Sequence, residues 1–174
     1  MVDTNEKFLI DSSSFMTPYK FYYAFDLVPS YWKKLSICAE TGRIILLDIV
    51  KTEIDKGKDS LADWIKNNQS NLVLCNHVEP NIIKKYQEIL QYIETCGYYN
   101  DKALNAWSKN DVADPWLIAA ATVHGYTIIT NEVSAGTLSN RTPSKNAKIP
   151  DVAKAFNVKT EPIFYMMRKL NIKI

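Results

Sequence analysis

One stretch, Asp111 to Glu132 (DVADPWLIAAATVHGYTIITNE), constrains the fold of this chain more than any other. Asp114 precedes Pro115, which suits a first helical turn, where proline has no N–H to lose. The nearly all-apolar run Trp116, Leu117, Ile118, Ala119, Ala120, Ala121 continues as helix, and Gly125 stops it. Tyr126 to Thr130 are aromatic or β-branched and read as a short buried strand whose C-terminal end delivers Asn131 and Glu132. A helix that opens on one acid and a strand that closes on another can bring two carboxylates to the carboxyl edge of a parallel sheet. In open α/β sheets that edge is where ligands sit. The expectation is an α/β chain with a metal site there.

With 174 residues, 47% of them hydrophobic, the chain can bury a sizeable core, and a single domain over 1–174 is expected. The net charge of +2 and pI of 8.3 are too weakly basic to announce a nucleic-acid binder by bulk charge. Cys38, Cys75 and Cys96 are odd in number and show no CxxC spacing, so neither a disulfide framework nor a zinc ribbon is indicated, and a reducing, cytoplasmic setting is the plain expectation. The N-terminal MVDTNEKFLI lacks a basic segment followed by a long apolar run, and no other run approaches a membrane span.

Along the chain, Lys7 to Ile10 reads as a buried strand ending in Asp11, and the hydroxylic Ser12, Ser13 and Ser14 favour a turn or helix cap. Alone, Asp11 is simplest as a capping aspartate. The aromatic segment Thr17 to Trp32 offers rings on which single-stranded nucleic acid could stack, although core packing is the commoner use of such residues. Ser30 to Thr41 reads as a helix stopped by Gly42, Arg43 to Leu47 as a second strand, and Asp48 as the N-cap of a helix from Ile49 to Lys56. Glu53 shares the stripe of Ile49, Val50 and Ile54; a carboxylate there needs a partner unless its head reaches water. Helices follow over Asp59 to Asn68, Val78 to Cys96 and Asp101 to Lys109, with a short extended piece at Leu72 to Leu74.

Beyond Glu132, Val133 to Ala147 is rich in Ser, Thr, Asn and Gly and reads as a long loop. Arg141, Lys145, Lys148 and Lys154 give it and the segment after it a basic bias. That suits either a solvated face or a phosphate backbone beside an acidic site. Asp151 reads as the cap of a short helix to Phe156. Val158 to Thr160 is a candidate edge strand, and Pro162 starts a last helix through Leu170.

Gly42, Gly57, Gly97 and Gly125 follow helices, which leaves no glycine-rich phosphate loop. There is no GxSxG or HExxH, and His77 and His124 are far apart, with His124 simplest as a C-terminal cap. What remains is a set of acids at element ends: Asp11, Glu53, Asp114 and Glu132. Carboxylates gathered at one point repel unless a cation neutralises them. Mg²⁺ or Mn²⁺ takes oxygen ligands, can activate a water and can stabilise the oxyanion of a phosphodiester displacement.

The residues resemble PIN-domain nucleases, in which an apolar strand ends in D-[ST]-[NS], a helix carries a glutamate, a later helix opens with an acid, and a strand ends T-x-D. Here the corresponding residues are Asp11-Ser12-Ser13, Glu53, Asp114 before PWLIAAA, and Thr130-Asn131-Glu132. The stretches FLIDSSSF, YYAFDLVPSYW, ADPWLIAAA, TIITNE and KIPDVAKAFNV look closer still to a bacterial and archaeal PIN-like subfamily catalogued only as a domain of unknown function. The resemblance implies a three-layer α/β fold, with a central, mostly parallel sheet of four or five short strands flanked by helices. It also implies one or two Mg²⁺ or Mn²⁺ ions bound by the four acids. A ribonuclease acting on RNA is implied, with relatives that are toxins paired with an antitoxin protein and that form homodimers. Two residues depart from the family pattern: Glu132 replaces an aspartate, with Asn131 beside it, and Ser13 replaces the commoner asparagine.

The leading expectation is a metal-dependent endoribonuclease. Asp11 and Asp114 are its principal ligands, Glu53 and Glu132 complete the site directly or through water, and Ser13, Thr130 and Asn131 support it. Arg141, Lys145 and Lys148 are candidate substrate contacts. A PIN-fold RNA-binding module without catalysis, and a structure-selective DNA nuclease or phosphatase, are the alternatives from the same acids.

Overall fold

The structure, a computed structural model, describes residues 5–174. The part of the leader expectation that concerns residues 1–4 lies outside the described residues. Strands β1 (Phe8–Ile10), β2 (Ile44–Leu47), β3 (Val73–Cys75), β4 (Thr127–Ile129) and β5 (Thr160–Glu161) form one all-parallel sheet in the order β3-β2-β1-β4-β5. The three inner strands read FLI, IILL and TII, apolar or β-branched at each residue rather than alternating, because both faces of a parallel sheet are covered by helices. All ten of these residues are buried. The edge strands differ as edges should. Val73 and Leu74 of β3 are partly exposed, and β5 is the polar pair Thr160 and Glu161.

Helices α1 (Ser12–Thr17), α2 (Pro29–Ala39), α3 (Asp48–Asp55), α4 (Ser60–Asn67), α5 (Pro80–Thr95), α6 (Asp101–Trp107), α7 (Asp114–His124), α8 (Ile149–Ala155) and α9 (Ile163–Lys169) flank the sheet in a three-layer α/β arrangement. Packing joins α1, α3 and α4 in one group and α5, α6, α7 and α8 in another. Helix α7 is apolar on nearly every side because it lies between β4 and α5, with Leu117, Ile118, Ala119, Ala120 and Ala121 all buried. Its three alanines allow close approach. Asp59 caps α4 by accepting from the Leu61 and Ala62 amides, as its position before an apolar run suggests.

The hydroxylic run after Asp11 forms helix α1, which continues directly into a π-helical turn over Pro18–Tyr22. The aromatics that follow divide by role. Tyr31 and Trp32 are core residues, and Phe25 stacks on Trp32 at 4.3 Å between ring centroids. Phe21 and Tyr22 remain largely exposed. No strand or helix occurs between β4 and α8, so the long loop is present as read, anchored by a bridge between Tyr99 and Ser144. Among the described residues, no helix is long and apolar enough to cross a membrane.

Candidate metal centre

Strand order reverses direction at β1: the chain steps outward through β2 and β3, then returns to the other side of β1 with β4 and β5. The carboxyl ends of β1 and β4 therefore flank a topological switch point, the crevice where open α/β sheets take ligands. Asp11 leaves β1 there, and Thr130, Asn131 and Glu132 leave β4.

Asp11 is 5% exposed. It occupies the cap position of α1, yet its side chain makes no capping hydrogen bond; the simple capping role does not hold. Its Oδ2 instead accepts from Ser13 Oγ at 2.5 Å and Thr130 Oγ1 at 2.9 Å, while Ser12 Oγ lies 3.5 Å from Oδ1. Burial pushes the carboxyl above its ordinary value, the Ser13 and Thr130 hydroxyls pull the other way, and the Glu132 charge adds to the rise. Asn131 fastens the two loops together: its amide nitrogen donates to the Ser13 carbonyl at 2.9 Å and its backbone N–H to Ser13 Oγ at 3.3 Å. Thr130 Oγ1 also accepts from the Glu132 N–H at 3.1 Å. Ser13 and Thr130 are thus hydrogen-bonded to the Asp11 carboxylate, and Asn131 is bonded to Ser13 rather than to a carboxylate.

Asp114 opens α7 just after Ala113. Its carboxyl is pushed up to about 7, first by burial and then by the charges of Asp11, Glu132 and Glu53, with Lys148 acting in the opposite sense. The other three acids chosen from sequence therefore each act on Asp114. Among the described residues the side chain of Glu53, half-buried on α3, makes no hydrogen bond or ion pair. Glu132 does: Oε1 accepts from Lys148 Nζ at 2.8 Å and Oε2 from the Ile149 N–H at 2.8 Å. Lys148, expected to contact substrate, is thus already bound to an acid of the centre. Arg141 and Lys145 are exposed, and among the described residues their side chains make no hydrogen bond or ion pair.

The donor set is all oxygen, which matches a hard divalent cation, and the mutual repulsion felt by Asp114 is what such a cation would relieve. Among the described residues, however, no three His, Cys, Asp or Glu side chains close into a ready-made ligand group.

Three further pairings escaped the sequence reading. Asp48 is the first residue of α3 rather than its cap, and its Oδ2 meets His77 Nδ1 at 2.7 Å just beyond β3. The His77 ring packs edge-on against Trp116, which stacks on Tyr86 at 3.7 Å. A signal existed, since Asp48 follows the apolar strand IILL as Asp11 follows FLI; the distant His77 had none. His124 pairs with Glu79 at 3.0 Å instead of capping α7. Asp151 does not cap α8; its carboxylate accepts from the Ser134 hydroxyl and the Ala135 N–H.

A family model described as "Domain of unknown function (DUF4411)" matches residues 8–174. The chain belongs to this family. The match runs from the first residue of β1 to Ile174, so the DUF4411 domain takes in the whole sheet and all four acids. No curated protein matches the chain. The family description carries no activity, so function rests on the centre itself.

Proposed function

We propose that this DUF4411 chain is a divalent-metal-dependent endoribonuclease of the PIN-domain kind. What supports the reading is the Asp114 carboxyl at the start of α7, pushed up to about 7 by its burial and by the charges of Asp11, Glu132 and Glu53. Acids so placed are costly to a fold and recur where a cation is to be held. Mg²⁺ or Mn²⁺ bound there would supply Lewis-acid stabilisation of a phosphodiester and lower the pKa of an attacking water.

The chain's own residues do the rest. Asp11 and Asp114 are the principal candidate ligands, with Glu53 of α3 and Glu132 completing the set directly or through water. Ser13 and Thr130 fix the Asp11 carboxylate through Oδ2, which orients Oδ1 without competing for it. Asn131 ties the Ser13 turn to the end of β4, so the two halves of the centre keep their spacing. Exposed Arg141 and Lys145 supply positive charge for a polyanionic strand. A protein antitoxin and a second copy of the chain are the partners this reading suggests.

Asp11→Asn and Asp114→Asn are each expected to abolish Mn²⁺-dependent cleavage of single-stranded RNA while leaving the far-UV circular dichroism unchanged; cleavage equal to that of the parent chain would refute the assignment. A second reading, an RNA-binding module without catalysis, is favoured by one observation: Glu132 is already engaged by Lys148. RNA binding that persists with no cleavage under Mg²⁺ or Mn²⁺ would select it.

A further inference from the structure

Three segments that leave the carboxyl edge of the sheet enclose an aromatic cavity. Helix α1 follows β1 and runs into the π-helical turn, which brings Pro18, Tyr22 and Tyr23; Asn131 comes from the turn after β4, and Pro162 and Phe164 come from the start of α9, just beyond β5. The space between them is about 420 Å³, the size of a small-ligand site. Its rings are not spent on the core. Tyr22 is 66% exposed and Phe164 51% exposed, while Tyr23 is anchored with its ring 4.5 Å from that of buried Tyr31. Exposed rings gathered around a cavity are apolar surface still to be covered.

Asn131 links this cavity to the acids. It also lines the adjoining crevice, whose walls include Thr130 and Glu132, and Pro162 is common to both. Its backbone N–H donates to Ser13 Oγ, which in turn donates to Asp11, so two hydrogen bonds lead from the cavity wall to that carboxylate. The Asn131 amide nitrogen is held by the Ser13 carbonyl, and among the described residues its Oδ1 accepts no hydrogen bond.

Resting on the nuclease reading for the identity of the strand, we infer that this cavity seats one unpaired nucleobase of a single-stranded RNA whose backbone follows the Asn131–Glu132 turn. A base offers what the walls call for: a flat face to stack on Tyr22 or Phe164, and polar edge groups, an exocyclic amino group among them, for the unused Asn131 Oδ1. A folded protein covers about 800 Å² on each side of a stable interface, whereas this cavity is the size of one small ligand. Bases stacked and paired inside a duplex cannot enter it, so the cavity also selects for single strands.

Fluorescence anisotropy with end-labelled strands in EDTA reads binding apart from cleavage. Two probes of about ten nucleotides are compared, a single-stranded RNA of mixed sequence and a ribose-phosphate strand of equal length without bases. The parent is expected to prefer the base-bearing strand by about tenfold. Tyr22→Ala and Phe164→Ala should each lose most of that preference and leave binding of the abasic strand unchanged, while Tyr22→Phe, which keeps the ring, should retain it. Both positions are exposed, so these truncations spare the core. A parent that binds the two strands equally, or binds neither, overturns the inference, and so does a preference that survives both alanine substitutions. Sedimentation velocity covers the other occupant: a parent dimer that Phe164→Ala converts to monomer would assign the rings to a second copy of the chain and overturn the inference as well. Mn²⁺-dependent cleavage is scored separately. A parent that prefers bases yet cleaves no RNA keeps the cavity and defeats the nuclease reading; cleavage without base preference does the reverse.

Discussion

Thr130 ties two of the four acids' segments together. Its hydroxyl donates to Asp11 and accepts from the Glu132 N–H, so one oxygen fixes an acid of β1 and the turn that follows β4. Thr130→Val keeps the shape and deletes both bonds, leaving a 4%-exposed position without its polar partner. The expected cost is about 1–3 kcal/mol by urea denaturation, with Thr130→Ser retaining most of the stability; equal losses for the two variants would assign the effect to the methyl group instead. Asp114 gives a pH signature of its own. Its folded-state value of about 7 lies above the ordinary 3.8, so the folded chain holds this proton more tightly than the unfolded one. The resulting stability is fully present below 3.8 and is lost as pH rises through about 7. In metal-free buffer the parent Tm should therefore fall relative to that of Asp114→Asn between pH 5 and pH 8. A constant difference across that interval would show that Asp114 is not the source.

At the scale of elements, the α7 to β4 unit depends on a reversal that an ordinary side chain resists. Gly125 ends α7 at φ 71° in the left-handed region and donates its N–H to the Ala121 carbonyl. A Cβ added there meets nothing within 4 Å, so any cost of Gly125→Ala is conformational rather than steric. About 1 kcal/mol is expected, measured by thermal unfolding, and an unchanged Tm would mean that the turn relaxes to negative φ. This unit was legible in sequence because each of its signals is local: Pro115 at the first turn, an apolar run, a glycine, then β-branched residues. The same holds for FLI before Asp11 and IILL before Asp48, runs that only a doubly covered strand can bury. What could not be read were the partners of charged groups. Lys148 to Glu132, Asp48 to His77 and Ser134 to Asp151 join residues on separate elements, and neither spacing nor periodicity encodes which of several nearby ions will meet. Asp11 and Asp151 were each simplest as local caps, and in both cases a tertiary donor won.

For the molecule as a whole, the strand order that sets β1 beside β4 also sends the chain from the acid centre into a long loop that must return to α8. That loop is hydrogen-bonded to the rest of the fold near each end, and Leu138 between them packs against the core. Near its start, Asp151 of α8 accepts from the Ser134 hydroxyl and, at 2.9 Å, from the Ala135 N–H. Near its end, Ser144 exchanges backbone hydrogen bonds with the segment before α6, donating to the Tyr98 carbonyl at 2.8 Å and accepting from the Asn100 N–H at 3.0 Å. Between the two lie exposed Arg141 and, just past the second, exposed Lys145, both without side-chain partners among the described residues. The loop is thus a strap over the outside of the fold, and its first fastening lies two residues beyond Glu132. Asp151→Ala removes that fastening without touching the core. The global unfolding free energy should change by less than about 1 kcal/mol, because exposed contacts contribute little to it. Local opening is another matter, since trypsin samples the released strap directly, and cleavage after Arg141 should accelerate by about tenfold. If cleavage proceeds at the parental rate while the fold stays intact, the pairing of Ser144 with Tyr98 and Asn100 and the packing of Leu138 hold the strap, and the Asp151 contact does not govern access to Arg141.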